Sequence, residues 1–332
     1  VGCKAKSSQQ VRTQGPELFY DIMSRQASIS FFSLRRILIV AQSTVTQLVR
    51  MKVFYFLAPI ALLFVGIQFL DLIWYQGAET LQPEQELRMH KNICLGTMMV
   101  FSSMFGIVAT ALLIPGDIED RTLYTILCKP VPRFDYLVGK LLGVMTVIFI
   151  AMVVMDVLLV ATLHFRTEEK LVEATQYMKK VGYPEADLAA GRAEIAAHGP
   201  TLILQYGVIA HFLKASVIAA VALLISTFST STIFTIATSS MIWIIGSFQS
   251  VAREALFTDP ISGGDPNMAE RILNTFVSLV FPDFKLFESI TDGAVRAENV
   301  LQADMTQLGG LAAIYVGIYV VLSWFVFSDK EF

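Results

Sequence analysis

Apolar runs long enough to cross a lipid bilayer constrain this chain more than any other feature. A membrane-spanning helix needs roughly 20 mostly apolar residues. Stretches of that kind occur at about residues 53–74, 93–114, 141–163, 202–225, 228–248 and 308–327. Of the 332 residues, 55% are hydrophobic and only 16% charged, whereas a soluble domain carries about 25% charged residues. The expected fold class is therefore an all-α membrane protein, a six-transmembrane-helix bundle filling residues 53–332. Only Ser226 and Thr227 separate the fourth and fifth runs, which predicts a helical hairpin with almost no loop.

Several function classes drop out on composition. The formal net charge is −3, and Lys and Arg are scattered between apolar runs, so there is no basic footprint for nucleic acid. Cys3, Cys94 and Cys128 lie far apart without a paired spacing or a Cys/His cluster, which supports neither a disulfide framework nor a metal site. Residues 1–28 are polar, expected to be disordered, and have no apolar core of the length a secretory signal needs. The flanks of the first run, Arg50 and Lys52 on one side against Tyr75 and Glu79 on the other, set the orientation by the positive-inside rule. Both termini are expected in the cytoplasm, although Arg166, Lys170, Lys179, Lys180 and Arg192 in the outward loop 164–201 weaken the bias.

Residues 29–52 read as an amphipathic interfacial helix. Leu34, Ile37, Leu38, Ala41, Val45, Leu48 and Val49 recur at helical spacing, and Arg35, Arg36, Gln42, Gln47 and Arg50 fill the other side, a pattern suited to the cytoplasmic membrane surface or to a soluble partner. The outer loop 249–307 contains a short apolar run at 272–281 stopped by Pro282. Ten residues rise only about 15 Å, so this run is expected to be re-entrant or interfacial, or else the core of a small soluble cap.

The cytoplasmic segment 115–140 carries the functional argument. Pro115 and Gly116 are expected to end the second span, with Asp117 as N-cap and Glu119 and Asp120 in the first turn of a new helix, where the dipole favours acidic groups. Lys129 suits the far end of that helix, and Pro130 and Pro132 stop it. A capped helix of about three turns presents Leu123, Ile126 and Leu127 on one side and Glu119, Asp120 and Arg121 on another. It either docks a separate cytoplasmic protein or simply caps the bundle.

The run from Glu119-Asp120-Arg121-Thr122-Leu123 through Leu127-Cys128-Lys129-Pro130-Val131-Pro132-Arg133 to Tyr136-Leu137-Val138-Gly139-Lys140 resembles the signature loop of ABC-2-type transporter permeases. The closing Phe327-Ser328-Asp329-Lys330-Glu331-Phe332 resembles their aromatic and charged tail, and the nearest group is the permeases associated with multicopper-enzyme maturation. Arg121 departs from the Gly that many members carry. The resemblance implies a multi-pass permease of the cell (inner, cytoplasmic) membrane that pairs with a second copy or a paralogue and couples to two ABC ATPase subunits. It implies that the loop is a coupling helix docked on the ATPase, with Asp117, Glu119, Arg121, Thr122, Leu123, Leu127, Lys129, Pro130 and Arg133 as the candidate set. The chain carries no GxxxxGK[ST] phosphate loop. It is accordingly expected to be no enzyme and to bind no cofactor, with ATP and Mg held by the partner ATPase.

Asp156 in the third run, with His211 and Lys214 in the fourth, stands out because ionisable groups at membrane depth are costly and face protein or water. Counted from the outer ends, Asp156 lies about 10 Å deep and His211 about 13 Å, so the two are expected to interact. They form either a structural ion pair or part of a transport path. A secondary transporter, a membrane scaffold and a membrane-embedded enzyme stay as alternatives, but no HExxH, GxSxG or internal repeat favours them.

Overall fold

The computed structural model describes residues 33–67, 83–119, 132–229, 231–257, 282–297 and 302–328. Among them every regular element is a helix: α1 (Leu34–Arg50), α2 (Lys52–Gly66), α3 (Pro83–Glu119), α4 (Arg133–Val181), α5 (Glu185–Ala197), α6 (Leu202–Phe228), α7 (Thr232–Phe257), α8 (Lys285–Arg296) and α9 (Gln302–Ser328). Four stretches within them are long and apolar enough to cross a membrane: Pro83–Asp117, Arg133–Val181, Glu185–Phe228 and Asp304–Ser328. Thr232–Phe248 of α7 is a shorter apolar helix. The apolar run at 272–281 and the polar N-terminus 1–28 lie outside the described residues.

Local chemistry explains the boundaries. Pro83 opens α3 with Glu84 and Glu86 in its first turn, favourable at the positive end of the dipole. Pro115 does not end this helix, which continues to Glu119; a proline removes one hydrogen bond, and side-chain contacts of Asp117 described below hold the last turn in place. Asp117 is therefore not the cap expected from the sequence. α4 runs 49 residues, about 74 Å, well past the span expected at 141–163. Residues 164–181 contain no Gly or Pro, and Arg166–Glu169 and Lys170–Glu173 pair one turn apart, so nothing stops the helix before Gly182. That glycine takes φ 83°, and its N–H and that of Tyr183 both bond the Met178 carbonyl, a left-handed stop that glycine makes without Cβ strain. Pro184 then leads into α5, so the expected loop 164–201 is largely a helical hairpin. The tight turn falls at Ser229–Ser231, where the Ser229 hydroxyl bonds the Ser231 backbone, slightly later than Ser226 and Thr227.

α6 is the central helix. Small and apolar residues from Ala215 to Leu223 are buried along its length, and α3, α9, α8, α4 and α7 all pack on it. α1 packs on α4 rather than resting on lipid alone. It turns Ile37, Ala41, Thr44 and Leu48 inward and leaves Leu34, Leu38 and Ile39 exposed beside Arg35. Gly139 and Gly143 make that approach possible. A Cβ at 139 would lie 2.7 Å from Val40 Cβ, and one at 143 would lie 2.5 Å from Thr44 Cβ, so the backbone of α1 sits on a stripe that only glycine leaves open.

Candidate functional site

Two polar clusters stand out in the apolar bundle, one at the end expected from the sequence to face the cytoplasm and one inside it. The first is built where α3 ends and α4 begins, at either side of segment 120–131. Lys140 Nζ bonds Asp117 Oδ2 at 2.7 Å and Gln47 Oε1 at 3.0 Å. The Tyr136 hydroxyl donates to the same Asp117 oxygen at 2.5 Å. Asp117 and Lys140 are both nearly sealed from solvent, with side chains 7% and 5% exposed, so the pair is strong only because Tyr136 and Gln47 supply the remaining hydrogen bonds. Next to it, Arg36 of α1 pairs with buried Asp135 at 2.9 Å.

α9 joins through its C-terminus. Arg133 Nη1 donates to the Phe327 and Ser328 carbonyls at 2.8 and 2.7 Å, a cation on the last carbonyls of a helix, where the dipole favours it. Phe327 stacks on Tyr136 with ring centroids 6.1 Å apart. The ends of α1, α3, α4 and α9 are thus bonded into one base.

Of the nine residues expected to dock an ATPase, Arg121, Thr122, Leu123, Leu127, Lys129 and Pro130 lie outside the described residues. Glu119 ends α3. Arg133 holds α9, and Asp117 is 5% exposed inside the base, so Asp117 is corrected from a surface contact to an internal anchor. Sequence reasoning missed Gln47, Asp135 and Tyr136. The signal available was Asp135 and Lys140 at the start of an apolar span, where a charge needs a partner.

The second cluster surrounds Lys214 of α6. Its Nζ donates to Glu288 Oε1 of α8 at 2.7 Å, approaches Met99 Sδ at 3.7 Å and lies 4.9 Å from the centre of the Phe284 ring. α8 enters the bundle to make this contact: Phe284 and the Pro282 carbonyl lie against Gly246 of α7, and Ala294 lies against Gly207 of α6. Phe287, Ile290, Thr291 and Ala294 form its buried face.

The expected Asp156–His211 contact is not made. Asp156 instead accepts from Gln205 Nε2 at 3.1 Å. Gln205 and His211 are six residues apart on α6, about 9 Å along its axis, so matching Asp156 to one removes it from the other. His211 is 4% exposed, and neither ring nitrogen has a hydrogen-bond partner among the described residues. Among the described residues no three His, Cys, Asp or Glu side chains could hold a metal ion together. No known family's sequence model matches the chain, and no curated protein matches it.

Proposed function

We propose that this chain is the membrane-spanning permease subunit of an ATP-driven ABC transporter. In this reading α2 and α7 supply the first and fifth of six spans in chain order, both termini face the cytoplasm, and two permease chains couple to two ATPase subunits through segment 120–131. One structural observation supports it beyond the resemblance of the segment itself. Asp117 of α3 is bonded to Lys140 and Tyr136 of α4, so the segment hangs between two helix ends that are locked together. A force on it reaches both helices at once, passes to α1 through Gln47 and to α9 through Arg133. A loop that only capped the bundle would need no such base.

The test is co-purification of the ATPase subunit with Leu127→Asp and Arg121→Glu. Loss of one apolar anchor from such a contact costs on the order of 1–2 kcal/mol, and charge reversal adds mismatch. Binding and coupled ATPase activity should fall while membrane insertion and thermal stability hold. Wild-type binding and activity in both variants would return the segment to a structural cap.

A further inference from the structure

The far end of α6, remote from the base, gathers side-chain donors that have no acceptor among the described residues. α3 and α6 run in the same direction: Leu95 lies against Gly207, Met99 meets Lys214, and Gly106 lies against Ala215 and Ala219. One turn before Leu95, on the same buried face as Leu87, comes Lys91, which this register sets against the first turn of α6. Lys91 is 0% exposed, and its Nζ has no hydrogen-bond partner among the described residues. An ammonium buried without a counter-charge is among the costliest arrangements a fold can hold.

Two more donors lie at the same helix start. Arg88 Nη2 is 3.2 Å from His198 Nε2. A guanidinium only donates, so Nε2 accepts and the neutral ring carries its proton on Nδ1. That Nδ1 is buried without a partner among the described residues. Thr201 is the N-cap of α6, in extended conformation at φ −107° and ψ 157°, yet its hydroxyl makes no capping bond. Its Oγ1 is likewise buried and unpartnered among the described residues. The charges of both Lys91 and Arg88 reach His198. The first N–H groups of a helix add donors without partners in the helix, aimed along a dipole that favours negative charge.

The acidic groups nearby are otherwise engaged. Glu194 acts on His198 and lies within side-chain hydrogen-bonding reach of Glu84, on which Arg88 also acts, and neither carboxyl is among the groups that act on Lys91. Glu86 binds Lys170 at 2.9 Å and approaches His90 at 4.0 Å. We propose that the start of α6 is an anion site for a phosphate group, held by Lys91, His198 Nδ1–H, the Thr201 hydroxyl and the first backbone N–H groups of the helix. A phosphate carries enough acceptor oxygens to serve several such donors, more than a single carboxylate does. The site sits at the edge of the apolar run 202–225, the level of lipid headgroups, so the phosphate belongs either to a phospholipid or to a soluble phosphate compound.

Thermal unfolding of the full chain in detergent tests this with two pairs of conditions. Inorganic phosphate is compared with chloride at equal ionic strength, and added phosphatidylglycerol with diacylglycerol of the same acyl chains, which lacks the phosphate. Wild type should gain about 2–4 °C in at least one pair. A gain with inorganic phosphate identifies a site open to soluble anions, and a gain with phosphatidylglycerol alone identifies a headgroup site. Lys91→Met should remove the gain and Lys170→Gln should keep it, with Thr201→Val, expected to reduce it, as the second variant if Lys91→Met does not fold. No gain for wild type in either pair, or a full gain in Lys91→Met, overturns the proposal.

Discussion

Gly143→Ala tests the packing of α1 on α4 most sharply. The added methyl would sit 2.5 Å from Thr44 Cβ, 2.7 Å from its Cγ2 and 2.9 Å from the Ala41 carbonyl oxygen, where carbon atoms normally keep about 3.5–4.0 Å. Thr44 Cβ and the Ala41 carbonyl are fixed to the α1 backbone, so no rotamer change relieves the clash. α1 must back away by about 1 Å, which draws Gln47 from Lys140 and Arg36 from Asp135, bonds of 3.0 and 2.9 Å. Overpacking of this kind costs about 1–3 kcal/mol, and alanine's better helix propensity returns roughly 0.5–1 kcal/mol. The net expectation is a loss of about 1–2 kcal/mol. Gly96→Ala is the control, because a Cβ there meets nothing within 4 Å and should gain only the propensity term. Thermal unfolding of the two variants at one detergent ratio should put Gly143→Ala several degrees lower. A midpoint at or above that of Gly96→Ala would refute the close approach of the two helices.

Two further outcomes follow from the ion pairs. Asp117→Asn takes from Lys140, 5% exposed, its opposite charge, Lys140→Met takes one cation from Asp117, 7% exposed, and each should cost about 3 kcal/mol in thermal or denaturant unfolding. The double variant should lose less than the sum, and strict additivity would mean the two side chains are uncoupled. Glu288→Gln strands Lys214, whose side chain is 1% exposed, whereas Lys214→Met leaves a glutamate that is 37% exposed. Glu288→Gln should therefore lower the unfolding midpoint more than Lys214→Met, and equal midpoints would count against the pair.

The parts of this fold that were legible in the sequence are those with a local signal. Apolar runs locate α3, α4, α6 and α9, and helical spacing of Leu and Ile between arginines locates α1, because composition and periodicity need no knowledge of neighbours. Residues 164–181 of α4 carry the charge density of a loop, although the stop signal, Gly182 followed by Pro184, comes only at their end. α8 was hidden in a different way. Phe287, Ile290, Thr291 and Ala294 recur at helical spacing, but the more apolar run at 272–281 is the more conspicuous feature of the same stretch of sequence. The partners of Asp156 and Lys214 were not legible at all. Depth along a helix is countable from sequence, but the face on which a side chain emerges relative to a neighbouring helix depends on packing, and Gln205 and Glu288 won on that basis. Asp117 failed as a cap for the same reason, since a buried lysine from α4 outweighed the local preference for a helix start.

The distribution of polar contacts also says which described element gives most easily under the proposed reading. At the base, two ion pairs, the Tyr136 hydrogen bond, the Arg133 bonds and an aromatic stack join α1, α3, α4 and α9, so separating any of these ends breaks several charged contacts at once. α8 is held differently. Its buried charged tie among the described residues is Glu288 to Lys214, and the rest of its seat is the apolar face of Phe287, Ile290, Thr291 and Ala294. Separating α8 from α6 therefore breaks one described ion pair, whereas separating the helix ends at the base breaks two together with the Tyr136 and Arg133 hydrogen bonds.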